Sequence, residues 1–305
     1  MLKRLKIFMN FWKTIICVLL TSSAFAQDSI NTRLLTTSDS LETLSVEDAM
    51  GPRAALSQAR YLARVSYDLT TRPLIAIDLT RSTQRFVVIN QMHGFNAGFG
   101  ARLSERIFVS VDLPVHYVRL DQSYLTTYGL TMDPNGWKLG DVELRSKIRL
   151  TSDSSKTNIA IMPFVALPTG GDEFFVSDDS YLFGGKIIMD ASPLPFFHLY
   201  ANAGYAYAHS AYFLNVDRTK RVELAAGGLL ELTKTFALNA ETNGAITFPG
   251  FDQDQNPVSM RIGWRMITGD LRWFCGISWD GFRDVTNNRG TVYAALKVPF
   301  GVAHE

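Results

Sequence analysis

Ile107-Phe108-Val109-Ser110-Val111-Asp112-Leu113-Pro114-Val115-His116-Tyr117 is the stretch that decides the fold. After Arg106, the residues Ile107, Val109, Val111, Leu113, Val115 and Tyr117 alternate with Ser110, Asp112 and His116. Successive side chains of a strand point to opposite faces, so this segment has one apolar face and one wet face. Val142, Leu144, Ile148 and Leu150 against Glu143, Arg145, Lys147 and Arg149 repeat the pattern. Working outward, similar alternating segments recur after residue 86, and the gaps between them alternate short with long.

A soluble sandwich could pack such apolar faces inward. Short turns at one end only, aromatic residues near strand ends and an export signal favour a barrel whose apolar faces meet lipid. The expected fold class is all-β: a closed antiparallel up-and-down transmembrane β-barrel of about 12 strands.

The first 26 residues carry the export signal. Lys3, Arg4 and Lys6 form a basic start, Thr14 to Leu20 a short apolar core, and Ala24-Phe25-Ala26 a small-x-small site, so cleavage is expected after Ala26. Asn10 and Lys13 interrupt the run, leaving fewer than the roughly 20 apolar residues that a helical span needs. Removing Lys3, Arg4, Lys6 and Lys13 from the total of 30 leaves 26 basic against 29 acidic residues, a net charge of −3. That balance gives no reason to expect nucleic acid as a partner. Cys17 leaves with the signal and Cys275 remains alone, so no internal disulfide is available. Without a long apolar run in the mature chain, closed β-structure is the remaining way to satisfy a backbone in lipid.

The expected organisation is a signal peptide at 1–26, an N-terminal periplasmic or plug-like segment at 27–57, a barrel at 58–300 and a short tail at 301–305. The first strand begins near Ala59. A gap of about 16 residues with Pro73 leaves room for a hairpin extension before a glycine-rich second strand at about 87–101. The third strand ends at Tyr117, and the loop at about 120–139 carries the turn signal Asp133-Pro134-Asn135-Gly136. Strands are expected at 140–150, 158–167, 181–190, 197–208, 221–232, 236–247, 258–267, 271–281 and 291–300. Twelve strands put both barrel ends on the short-turn side, as in bacterial outer-membrane barrels. Girdle candidates are Tyr61, Tyr67, Tyr117, Tyr205, Tyr207, Trp264, Trp273, Trp279 and Phe300.

Gly140-Asp141-Val142-Glu143-Leu144, Ala166-Leu167-Pro168-Thr169-Gly170-Gly171-Asp172 and Val111-Asp112-Leu113-Pro114-Val115 resemble a proteobacterial barrel family. Its members form the N-terminal half of outer membrane protein A-type proteins, and related barrels are transporter-like products of aromatic-degradation operons. The resemblance spans roughly 59–300 and implies barrel architecture more than activity. That family's peptidoglycan-binding C-terminal domain is not expected here, because the chain ends five residues after the last expected strand.

With polar faces turned inward, the basic lumen candidates are Arg64, Arg106, Arg145, Lys147, Arg149, Lys186, Arg261, Arg265, Arg272 and Lys297. The acidic candidates are Asp68, Asp112, Glu143, Asp190, Glu223, Glu231, Glu241 and Asp280, with His116 beside them. Near-balance leaves two readings: a mixed-charge pore of weak selectivity, or a lumen closed by ion pairs. Arg145, Lys147 and Arg149 form either a cationic lane or one side of pairs with Asp112 or Asp190. Gly94, Gly98, Gly100, Gly204 and Ala206 either leave room for a ligand or accommodate large neighbours.

No zinc spacing, phosphate loop or nucleotide fingerprint is present, and no cofactor is expected. Asp172 to Asp179 lacks calcium-ligand spacing and reads as a solvated loop. His93 has no serine in a lipase-like context, so the chain is not read as an enzyme. The expected function is a narrow passive outer-membrane channel for small solutes. The alternatives are a closed barrel presenting loops and a carrier of hydrophobic compounds. Expected partners are outer-membrane lipid and the barrel assembly machinery, with small solutes or a hydrophobic ligand inside.

Overall fold

An antiparallel strand satisfies its backbone only by pairing on both sides, and a closed ring does this for every strand. The computed structural model describes residues 59–302 apart from connecting stretches at 79–83, 152–156, 171–179, 249–257 and 281–288 and parts of 123–134 and 209–219. The expected signal peptide and the 27–57 segment lie outside the described residues, as does the acidic loop at Asp172 to Asp179. The first strands are β1 (Ala59–Asp78), β2 (Gln84–Arg102), β3 (Ile107–Leu120), β4 (Asn135–Leu139), β5 (Val142–Arg149) and β6 (Thr157–Leu167). They are followed by β7 (Leu182–Leu194), β8 (Phe197–Ala208), β9 (Tyr212–Phe213), β10 (Val216–Asp217) and β11 (Lys220–Glu231). The last are β12 (Phe236–Phe248), β13 (Val258–Thr268), β14 (Leu271–Asp280) and β15 (Arg289–Val302).

Twelve of these form the closed antiparallel wall, with β1 paired to β15 and the ring continuing without a crossover. β4 extends it beside β3, and β9 and β10 form a separate two-stranded hairpin. The fold class matches the sequence reading.

The expected room for a hairpin extension is used, and two other elements differ from expectation for physical reasons. β1 and β2 continue as a paired extension to Asp78 and Gln84, with irregular register around Thr71 and Leu74 that absorbs Pro73. Asn135 and Gly136, expected in a turn, instead begin β4, because β3 continues to Leu120 and offers an edge to pair with. β15 runs on to Val302, where its partner is Ala59.

β4 and β5 behave as one wall strand broken by a bulge at Gly140-Asp141. Pro114 has no N–H to give, and bulges are where a proline fits within a sheet. Gly140 N–H donates to the Pro114 carbonyl (2.9 Å). The Thr169 hydroxyl donates to the Gly140 carbonyl (3.1 Å) and accepts from Val142 N–H (2.9 Å), while Gly170 N–H donates to Asp141 Oδ1 (3.2 Å). The motifs that carry the family resemblance thus meet at one junction. At the opposite end, the β13–β14 turn is tight, with Gly269 at a φ of 60° that side chains rarely adopt.

The outward face is apolar: Val65, Phe99, Leu113, Leu144, Ile187, Ile262 and Val292 are all exposed. Aromatic rings gather on it in groups. Tyr61 stacks on Phe99 and Phe300 near the short-turn end. Tyr67, Phe95, Tyr117 and Trp137 meet nearer the long-loop end, where the Tyr67 hydroxyl also bonds His93 Nδ1 (2.8 Å). Two aromatic levels flanking an apolar band are the outer-membrane pattern. The side chain of Trp279 lies outside those described.

Candidate lumenal charge site

The side chains opposite the lipid face define the candidate site. Arg64, Asp68, Asp112, His116, Glu143, Arg145, Lys147, Lys186, Glu223, Glu241, Arg261, Arg265, Arg272 and Lys297 are buried on this inner face. Glu231, Arg149 and Asp190 are half-buried, toward the short-turn mouth. Arg106 corrects the sequence reading. It is exposed in the turn before β3, where its N–H donates to Ser104 Oγ (3.3 Å), because the wall begins one residue later at Ile107. Asp280 pairs with Ser259 in register, and its side chain lies outside those described.

The charges meet in strand-crossing groups. Asp112 on β3 bonds Arg64 on β1 and Arg145 Nη1 on β5 (2.9 Å), and Arg145 Nε donates to Glu143 Oε1 (2.6 Å). On the other side, Glu223 pairs with Lys186 Nζ (2.9 Å) and Arg221 Nε (2.7 Å). Glu241 accepts from the Tyr200 hydroxyl (3.1 Å) and faces Arg261 Nη1 (3.5 Å). Asp190 accepts from Asn158 Nδ2 (3.0 Å). Pairing of this kind offsets the cost of taking charge away from bulk water. Of the expected ladder, Arg145 is therefore engaged with Asp112 and Glu143. Arg149 reaches the Glu105 carbonyl at the mouth (3.4 Å).

The inner face also carries large apolar rings that the polar-inward rule missed. Phe108 lies over Gly100, Phe164 over Gly184, Tyr200 over Gly227, and the Tyr293 hydroxyl over both Gly263 and Gly276; a Cβ at any of these glycines would collide with the ring or its hydroxyl. Lys186 sits over the Phe164 ring (5.5 Å), Arg261 over Tyr293 (5.1 Å) and Lys297 over Phe274 (4.7 Å). The inner wall is therefore built in places as glycine, then ring, then cation. The same logic settles the small residues on β2 and β8. Asp68 fills the space over Gly94, Asp112 and Arg64 that over Gly98, and Lys186 Cγ would lie 2.7 Å from a Cβ on Gly204. These glycines accommodate large neighbours. One signal was available in β6, where Ile159 to Leu167 is apolar at every position, a mark of burial on both faces.

His198 joins a second group at the short-turn mouth. Its Nδ1 bonds Ser192 Oγ (2.8 Å), its Nε2 lies 3.5 Å from Glu231 Oε1, and Arg265 Nη2 donates to that same oxygen (2.8 Å). In serine hydrolases the nucleophile faces Nε2 and the carboxylate Nδ1, the reverse of this order. The group ties β7, β8, β11 and β13 together at the rim.

No protein-family model matches the sequence, and no curated protein matches it. Solved structures do match in fold. The COG4313 outer membrane channel from Pseudomonas putida F1 aligns with a TM-score of 0.61 and 10% identity, covering 82% of this chain and 98% of that one. The KdgM porin, in complex with disordered oligogalacturonate, aligns at 0.47 and 8% identity over 78% and 99%. The Pseudomonas putida toluene transporter TodX aligns at 0.41 and 11% identity over 82% and 92%. The chain is thus similar in fold to outer-membrane β-barrels, and its architecture is a twelve-stranded barrel of that type.

Proposed function

We propose that this chain is an outer-membrane barrel acting as a narrow passive channel for small solutes, with a lumen of mixed charge. The observation that carries the reading is the inner face itself: buried arginines, lysines and carboxylates cross from strand to strand inside a wall whose outer face is apolar. Arg64, Lys297 and Arg272 stand in register with one another on the inner face, where like charges repel unless carboxylates or lumenal ions offset them. Twelve strands lie between the filled interior of about eight and the wide channel of 16 to 18. Large side chains over the inner glycines narrow the passage further. The similarity in fold to an outer membrane channel and the motif resemblance to transporter-like barrels support the same reading.

Opposite substitutions test it. In planar bilayers, Glu143→Gln should move the reversal potential in a salt gradient toward anion preference and Lys147→Gln toward cation preference. Unchanged selectivity in both folded variants would favour the closed barrel. One observation favours carriage of hydrophobic compounds as a second reading: toward the long loops the inner face turns apolar at Met92, Val118, Leu120 and Leu182. Uptake of an uncharged apolar tracer by proteoliposomes, in the absence of ion conductance, would support that reading.

A further inference from the structure

On the outer face of β2, β3 and β4, three successive rows of side chains change character toward the long loops. The first row, Phe95, Val115 and Leu139, is apolar. The second, His93, Tyr117 and Trp137, is aromatic. The third, Gln91, Arg119 and Asn135, is polar and carries an exposed guanidinium. A membrane lipid changes in the same order, from acyl chain through the interface to the headgroup.

The aromatic row forms a platform. Ring centroids lie 5.3 Å apart for Tyr117 and Trp137, 5.5 Å for Trp137 and Phe95, and 5.9 Å for His93 and Tyr117. Trp137 is still 61% exposed, so most of its surface is left for a partner outside the barrel. The Tyr67 hydroxyl holds His93 at Nδ1 (2.8 Å); with that hydroxyl donating, the neutral ring carries its proton on Nε2 and gains a donor at the headgroup level. Among the described residues, the Arg119 side chain makes no ion pair or hydrogen bond, and Asp121, two positions farther on, has a partner of its own. A guanidinium in this setting is a planar fork that matches phosphate oxygens bidentately.

We propose that this face binds a phosphorylated glycolipid of the outer leaflet. Its phosphate meets Arg119 and His93, its sugar rings pack their C–H faces on Trp137 and Tyr117, and its acyl chains run along Phe95, Val115 and Leu139. The leaflet follows from the loops, because the long ones are external in such barrels and Arg119 stands at that end. Charge chooses the occupant. A second copy packed through the same patch would set Arg119 near its own counterpart, and an uncharged lipid would leave it unanswered. The proposal does not depend on whether the lumen conducts.

The test uses the refolded mature protein in detergent micelles, with bound lipid read by native mass spectrometry and folding established by a heat-dependent gel shift. Diphosphoryl lipid A is the probe. Phosphatidylglycerol, which has phosphate without sugar rings, and digalactosyldiacylglycerol, which has the reverse, should each bind at least about fivefold more weakly. Arg119→Gln should weaken lipid A about tenfold and leave digalactosyldiacylglycerol unchanged. Trp137→Ala should weaken both. Trp273→Ala and Lys234→Gln, at the short-turn end, control for loss of an outer ring and of a charge and should change neither.

Lipid A retained equally by the wild type, Arg119→Gln and Trp137→Ala would overturn the site. So would phosphatidylglycerol binding as tightly as lipid A, or a loss in Trp273→Ala equal to that in Trp137→Ala, the sign of a general aromatic belt. Lipid-free dimers that dissociate in Trp137→Ala would also overturn it and give the face to a second copy. Should Trp137→Ala fail to fold, Arg119→Gln decides alone.

Discussion

Tyr293 shows how single residues build this wall. Its hydroxyl meets Gly276 on the adjacent β14 and Gly263 on β13 beyond it, and the Arg261 guanidinium covers the ring. Truncation to Ala leaves two bare glycines and removes a stacked cation's support. Tyr293→Ala is expected to destabilise the barrel by about 3 kcal/mol, measured by urea unfolding of the refolded protein in lipid. On the outer face, Val111 stands between Phe99 and Leu144. Val111→Arg should cost roughly 2–4 kcal/mol near the midplane, and a neutral result would mean that the faces are reversed. Val111 and Asp112 were assignable to opposite faces from alternation alone. Tyr293 and Gly276 were not linked, because they meet across strands and the pairing register is absent from a single strand's pattern.

At the scale of elements, the β4–β5 junction is the most constrained feature. The Thr169 hydroxyl serves both the Gly140 carbonyl and the Val142 N–H, so one side chain satisfies two backbone groups that the bulge removes from the ladder. Packing adds to this, since a Cβ at Gly140 would press on Pro114 and His116. Thr169→Val keeps the shape and removes both bonds. It should cost about 1–3 kcal/mol and speed limited proteolysis in the loop that follows Gly170. Thr169→Ser should restore wild-type behaviour. The motifs around Gly140 and Thr169 stood out in the sequence as a resemblance, yet their shared role did not, because 27 residues separate Val142 from Thr169. Asn135-Gly136 misled for a similar reason. A local turn signal was outweighed by the edge that β3 presents, a tertiary effect that turn propensity does not contain.

Across the whole molecule, strand count and closure were legible because a backbone in lipid must be fully paired, which needs a closed ring, and a ring with lipid outside and lumen inside imposes alternation on every strand. The inner rings were less legible. Phe108, Phe164, Phe274 and Tyr293 occupy positions of the inward face, and a rule that equates inward with polar passes over them. Pairing of Arg145 with Asp112 was one of the alternatives open in the sequence, but the share of Arg64 in it was hidden, since the three residues come from three strands and meet only once the ring closes. Glu143→Gln and Lys147→Gln should therefore change selectivity in opposite directions by modest amounts, as expected of a lumen in which most charge is locally offset.

We propose that this lumen, though narrow and lined by paired charges, is open. Single-channel recording of the refolded mature protein in a planar bilayer tests it most directly, with a heat-dependent gel shift to establish that the barrel has folded. An open lumen of this kind gives stable, small conductance steps with weak ionic preference. Persistent electrical silence from demonstrably folded protein would contradict it.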